Sequence, residues 1–251
     1  MREAQMGELT VRIAGGSDRN GGGDGPLVIL LHGFGAPGED LVPLWRVLDV
    51  PASTRFLFPA APLSLAMGYG DSRAWWMIDP AYFEDLQKGA AQAPDRSNDV
   101  PEGLAEAREK VIALLDCARE SLSAETIVLG GFSQGAMLSL DVALHWEGPL
   151  AGLILLSGTL LARKEWEPRL ASRSGLRVLQ SHGTSDPLLS FSQAEKLRDL
   201  LTSSNLPVEF LPFRGGHTIP ESVLTRAGAF ITSVTTTGTT AGTTGVTKPA
   251  G

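Results

Sequence analysis

The stretch Glu125-Thr-Ile-Val-Leu-Gly-Gly-Phe-Ser-Gln-Gly-Ala136 decides how this chain folds. Thr126 to Leu129 is a short β-branched and apolar run of the kind that forms a buried strand. The apolar-periodic segment after Gly135 predicts a helix running to about Trp146. Between them, Gly131-Phe132-Ser133-Gln134-Gly135 fits G-x-S-x-G, the strained turn that lifts a nucleophilic serine above a sheet edge. The glycines have a physical role in such a turn, because strand and helix backbones approach too closely for a Cβ at either position. The bare pattern is short and the chain carries 29 glycines in 251 residues, so its strand-to-helix context carries the weight. An ordinary Gly-rich turn between strand and helix is the competing reading.

Outward from this unit, strand and helix signals alternate. Leu27-Val-Ile-Leu-Leu31 is continuously apolar, as a central strand covered on both faces requires, and it runs into His32-Gly-Phe-Gly-Ala-Pro37. Leu150 to Leu156, Leu176 to Gln180 and Val208 to Leu211 read as further strands, and Arg55 to Phe58 as one stopped by Pro59. Helices are expected over Asp40 to Leu48, Pro101 to Ser121, Ser192 to Leu201 and Pro220 to about Val234. Leu9 to Ile13 alternates like an edge strand. The loop Gly15 to Gly25 contains an Asn20-Gly21 hairpin signal. This alternation predicts an α/β fold, a mostly parallel sheet with helices on both faces, in a single domain over residues 1–234.

Two segments stand apart. About 60–101 has no strong period, and a loop so long inside a compact domain is usually a lid or binding loop. It holds Met67, Tyr69, Trp75, Trp76, Met77, Tyr82 and Phe83, and its Gln87 to Asn98 half is polar enough to be mobile or a short helix. The Thr/Gly/Ala segment 235–251 cannot supply a core and reads as a disordered tail.

The bulk composition excludes several classes. A net charge of −7 and a pI near 5.1 argue against a nucleic-acid partner, which calls for a basic face. The single cysteine, Cys117, rules out an internal disulfide framework and a cysteine-clustered metal site, and its setting predicts a small core residue of a helix. No apolar run approaches the ~18 residues of a membrane span. The N-terminus, Met1-Arg-Glu-Ala-Gln-Met-Gly-Glu, lacks the hydrophobic core of a signal peptide, so a soluble cytoplasmic protein is expected.

A serine nucleophile needs a base, and there are four histidines. In folds of this kind the triad follows the order serine, acid, histidine, which excludes His32. His145 lies too far along the elbow helix to fold back, and His182 precedes the candidate acid in a strand-end turn. His217 remains, in the Gly-rich loop Arg214-Gly-Gly-His-Thr218, where open α/β sheets place their ligands. Among the acids after Ser133, Asp186 is the one at a strand end, placed to fix the tautomer of His217 and to stabilise its cation. Backbone N–H groups of Gln134 and, from the early strand-end loop, Phe34 are the candidate oxyanion donors. His32 is expected to brace that loop by hydrogen bonding.

With these residues in place, four blocks resemble the signatures of the phospholipase/carboxylesterase family of α/β-hydrolases, the branch containing acyl-protein thioesterases and small bacterial carboxylesterases. They are Leu31-His-Gly-Phe-Gly, Gly131-Phe-Ser-Gln-Gly-Ala136, His182-Gly-Thr-Ser-Asp-Pro187 and Gly215-Gly-His-Thr-Ile219. The resemblance spans about Pro26 to Ile231. It implies an α/β-hydrolase fold with a small lid insertion, Ser133, Asp186 and His217 as the triad, Phe34 and Gln134 as oxyanion donors, and hydrolysis of a small-molecule ester or thioester without metal or cofactor. Relatives often carry Trp, an aromatic and then Asp in the lid, whereas here Trp75-Trp76 is followed by Met77. Trp75, Trp76 and Met77 read either as one wall of the substrate pocket or as core. A carboxylesterase is the leading expectation, a thioesterase or lysophospholipase the alternative within the family, and a catalytically silent binding protein the alternative outside it.

Overall fold

Every residue of Leu27–Leu31 is buried, and successive side chains go to opposite sides of the strand. Leu27, Ile29 and Leu31 enter one apolar core, Val28 and Leu30 another. The same division separates Ile127 and Leu129 from Val128, and Leu153 and Leu155 from Ile154 and Leu156. A two-residue period with both sets apolar is what a strand covered on both faces requires.

A computed structural model describes residues 1–65, 71–79 and 95–236 of the protein. Its strands are β1 (Arg2–Met6), β2 (Leu9–Gly15), β3 (Leu27–Leu31), β4 (Arg55–Pro59), β5 (Leu63–Ser64), β6 (Arg73–Ala74), β7 (Ile127–Phe132), β8 (Gly152–Leu156), β9 (Val178–Gly183) and β10 (Val208–Phe213). Eight of them form a sheet in the order β1-β2-β4-β3-β7-β8-β9-β10, while β5 and β6 pair as a small ribbon. From β4 to β10 neighbouring strands run parallel, and β1 and β2 are antiparallel additions. One face is covered by the helices Leu104–Ser121, Gln134–His145 and Phe191–Ser203, the other by Glu221–Thr236 together with Leu41 and Leu48. The expected α/β class, mostly parallel sheet and two-sided helix cover are all present. No helix among the described residues is long and apolar enough to cross a membrane.

Five local readings need correction. Leu9 to Ile13 is not the edge, because β2 lies between β1 and β4, and β1 takes the outer position. The polar Arg2-Glu-Ala-Gln-Met6 run hid that strand, which a turn at Gly7 (φ 58°) folds against β2. The helix expected over Asp40 to Leu48 is one turn, Leu44–Val47, because Pro43 has no N–H to contribute. Asn20-Gly21 joins no two strands, since the Asp18 carboxylate gathers the N–H groups of Asn20 and Gly22 (2.7 and 2.8 Å) into a closed loop. The segment without a period contains the β5–β6 ribbon, too short to show an alternation. The last helix continues two residues beyond Val234, to Thr236. Residues 237–251 lie outside the described residues, as do Met67, Tyr69, Tyr82, Phe83 and most of the Gln87 to Asn98 stretch.

Candidate active site

The parallel strands β3, β7, β8, β9 and β10 all point their C-terminal ends at one edge of the sheet, and the sequence-predicted site residues collect there. Ser133 follows β7 directly, with φ 55° and ψ −118°. A residue with a side chain adopts that backbone at a cost of about 1–3 kcal/mol, so the surroundings must hold it. They do so from the strands on both sides of β7. The Ser133 N–H donates to Leu156 O on β8 (2.8 Å). A Cβ at Gly131 would stand 2.5 Å from Leu31 O, and one at Gly135 only 2.0 Å from the same atom. Helix and strand thus close on β3 with no room for a side chain at either glycine.

A second close approach joins the loops after β9 and β10. A Cβ at Gly183 would sit 2.3 Å from Gly216 O, and the N–H groups of Thr184 and Ser185 donate to Phe213 O and Gly215 O (2.8 and 3.0 Å). This clasp brings Asp186 and His217 together, with His217 Nδ1–H donating to Asp186 Oδ2 at 2.7 Å. The other carboxylate oxygen accepts from the N–H groups of Leu188 and Leu189 (2.8 and 3.0 Å). Burial works against a charge on Asp186, but the bonds from His217 and from these backbone N–H groups outweigh it and hold its pKa below the usual carboxylate value. With Nδ1 committed to the carboxylate, Nε2 is the basic atom of His217. The imidazole packs on Phe132, the residue before Ser133, with ring centroids 4.7 Å apart.

The early strand-end loop lies against the elbow, since a Cβ at Gly33 would be 3.3 Å from Ser133 Cβ. His32 braces it as expected. Its Nε2 accepts the Ala61 N–H (2.9 Å), which leaves Nδ1–H to donate to Gly33 O (2.8 Å). Burial lowers the His32 pKa and keeps this ring neutral. Gly35 N–H is committed to Arg73 O (2.8 Å), and Phe34 sits between the two glycines. Gln134 opens its helix, so its N–H has no acceptor within the helix.

Trp75 and Trp76 are 1% and 3% exposed and belong to the core on the face of the elbow helix, whereas Met77 is 57% exposed. Two side-chain roles left no signal in the sequence. The Gln134 carboxamide, itself buried, accepts the Trp75 N–H and donates to Trp76 O, both at 2.9 Å. His182, set aside as a turn residue, is a buried member of β9 whose Nε2–H donates to Leu189 O (2.9 Å), 3.5 Å from Asp186 Oδ2. Both side chains are polar and buried, and burial is what requires such partners. His145 is remote from the site and bonds its own helix, at Asp141 O (2.7 Å). A surface cavity of about 520 Å³ lined by Trp45, Val50 and Phe56 opens where β4 begins, at the other end of the sheet.

Comparisons with known proteins bear on the family and the fold. The family model described as Phospholipase/Carboxylesterase matches residues 21–235. Acyl-protein thioesterase 1 of Neurospora crassa is 30% identical over 199 residues, covering 76% of this chain and 79% of the relative. Acyl-protein thioesterase 1 of Debaryomyces hansenii is 26% identical over 219 residues, 82% and 90% of the two chains. Among solved structures, esterase PE8 superposes with a TM-score of 0.75 at 27% identity, covering 90% of this chain and 99% of its own.

Proposed function

The chain belongs to the phospholipase/carboxylesterase family of α/β-hydrolases, and we propose that it is a serine carboxylesterase with Ser133, Asp186 and His217 as its triad. The observation that carries this reading is the Asp186–His217 bond at the sheet edge where Ser133 holds its left-handed backbone. In this reading His217 Nε2 accepts the Ser133 hydroxyl proton as Oγ attacks the substrate carbonyl carbon. The carbonyl oxygen, now negative, is received by the N–H groups of Phe34 and Gln134. Collapse of the tetrahedral intermediate expels the alcohol or thiol, which takes its proton from His217. Water, deprotonated by the same imidazole, then attacks the acyl-serine, and collapse of this second tetrahedral intermediate releases the acid as His217 returns the proton to Ser133 Oγ. Asp186, kept ionised by its N–H donors, stabilises the imidazolium formed in each half-reaction.

The experiment is labelling with a fluorophosphonate probe alongside turnover of p-nitrophenyl esters. Ser133→Ala should abolish labelling and lower kcat by several orders of magnitude while melting like the parent. Turnover near the parent's in a folded variant would overturn the assignment. The relatives named acyl-protein thioesterases favour a thioester as second substrate class, and kcat/KM on matched ester and thioester pairs separates the two.

The burial of Trp75 and Trp76 leaves Met77 as the member of that trio to meet substrate. It follows Trp76, whose carbonyl is tied to Gln134, so its exposed side chain emerges beside the elbow. Met77→Ala should flatten the preference among acyl lengths, costing about 1–3 kcal/mol of transition-state binding on the best-fitting ester and least on acetate. An unchanged length profile would remove Met77 from the pocket.

A further inference from the structure

We propose that the Gln134 side chain is a positioning residue for the oxyanion hole, fixing the Arg73–Trp76 segment as a strut between the two backbones that supply the donors. The proposal rests on the hydrolase reading above. Its basis is a closed circuit of hydrogen bonds. On one side the segment is sewn to the early loop: Gly35 N–H donates to Arg73 O (2.8 Å), Arg73 N–H to Ala36 O (2.9 Å), and the Trp75 indole N–H to His32 O (3.0 Å). On the other side the Gln134 carboxamide grips the backbone of Trp75 and Trp76, accepting one N–H and donating to one carbonyl. Phe34 lies within the bonded stretch His32–Ala36, and the second donor is the backbone N–H of Gln134 itself. The strut therefore ties together the two residues whose N–H groups must converge on one oxygen.

Convergence of that kind is a matter of tenths of an ångström, since each donor must lie about 2.7–3.1 Å from the oxyanion. Neither loop meets this demand alone. The His32–Ala36 turn contains two glycines, and its register depends on what it is bonded to. The chemistry of the clamp also specifies its residue type. The Trp75 N–H needs an acceptor and the Trp76 carbonyl needs a donor, and a carboxamide offers both, as a neighbouring strand's peptide group would. A glutamate at 134 would set a second oxygen against the Trp76 carbonyl, and a methionine would leave both groups buried without partners. Burial of the two indole rings keeps water from replacing these bonds.

The test compares Gln134→Met and Gln134→Glu with the parent on p-nitrophenyl esters, and adds a trifluoromethyl ketone whose hemiketal oxyanion mimics the intermediate. We expect kcat to fall about 10–100-fold, less than for complete loss of a donor. KM should stay within about threefold, and the ketone's inhibition constant should rise in step with the fall in kcat/KM. Trp75→Phe, which keeps an aromatic ring but loses the indole N–H to His32, should show the same pattern at about 3–10-fold and stands in if the Gln134 variants do not fold. A lower melting temperature with kcat and ketone affinity both unchanged would show a merely structural clamp and overturn the proposal. Fluorophosphonate labelling separates the two possible failures. If the parent is labelled and the folded variants are labelled equally fast, the strut is wrong and the hydrolase reading stands. If the parent is not labelled at Ser133, both fall.

Discussion

Asp141 and Asp186 both have side chains with no exposed surface, and both lie near histidines, yet the fold uses them for opposite purposes. Asp141 sits in the body of the elbow helix. Its oxygens accept the Trp166 indole N–H (2.8 Å) and an Arg108 guanidinium N–H (3.1 Å), tying three helices together. His145 is only a neighbour there, 3.6 Å from the carboxylate and bonded to the helix backbone. Asp186 stands on a loop beyond β9, and its histidine is bonded to it directly and partly open to solvent. Burial opposes the charge in both places. At Asp141 it prevails over the indole, Arg108 and His145, and the pKa rises; at Asp186 His217 and the backbone N–H groups prevail, and the pKa falls. A buried Asp–His neighbourhood is thus no signature of catalysis by itself. What sets Asp186 and His217 apart is their direct bond and their place at the C-terminal edge of the sheet, packed on Phe132 beside the elbow.

The sharpest way to break this contrast is to neutralise each aspartate in turn. Asp186→Asn keeps the size and an acceptor for Leu188 and Leu189, but an amide facing His217 favours the wrong tautomer, and kcat should fall about 10⁴-fold. Asp141→Asn should leave kcat per folded molecule within about twofold. Comparable losses of kcat in the two variants would erase the distinction. For stability the order reverses. Asp141→Ala strands Arg108 and the Trp166 N–H without their buried acceptor and should cost about 3–5 kcal/mol in urea unfolding. An unchanged midpoint would mean that Asp141 ties nothing.

The smallest effect lies in the pH dependence, where the signs differ. The depressed pKa of Asp186 contributes stability that is present above the unfolded value of about 3.9 and is lost as pH falls below it through the folded value. The raised pKa of Asp141 acts in the other direction, because its ionised form is a burden at neutral pH that protonation relieves on acidification. From pH 7 towards 4 the stability of the parent relative to Asp141→Asn should therefore rise. Below about pH 4 its margin over Asp186→Asn should shrink. Unfolding midpoints across pH 3–7 check both, and parallel curves for the two variants would contradict the assignment.

What could be read in the sequence follows the same division. The continuous apolar runs at Leu27–Leu31 and around Leu129 announced central strands, because a strand covered on two faces leaves no polar position. Asp186 and His217 stood out as candidates because each sits in a loop past a strand signal, Leu176–Gln180 and Val208–Leu211, though neither run is wholly apolar. The β1 edge did not stand out, since a half-exposed strand may carry Arg2, Glu3 and Gln5 and look like any polar terminus. Pro43 shortened a helix whose apolar spacing extended further. The partners of Gln134, 58 and 59 positions away at Trp76 and Trp75, and the burial of those rings depend on contacts that no local pattern encodes.

At Gly131, Gly135 and Gly183 it is one stretch of main chain that touches another, Leu31 in the first two cases and Gly215–Gly216 in the third. The distances among the elbow and the loops holding Asp186 and His217 are therefore written in peptide units, which point mutation elsewhere scarcely alters. The exposed side chain of Met77, next to the clamped Trp76, carries no such constraint. On the proposed esterase reading, a lineage built this way drifts from one acyl group to another by exchanging exposed residues of that kind while Ser133, Asp186 and His217 stay in register. Laboratory evolution of this scaffold should find its new specificities at exposed positions such as Met77 and recover almost nothing at the three glycines.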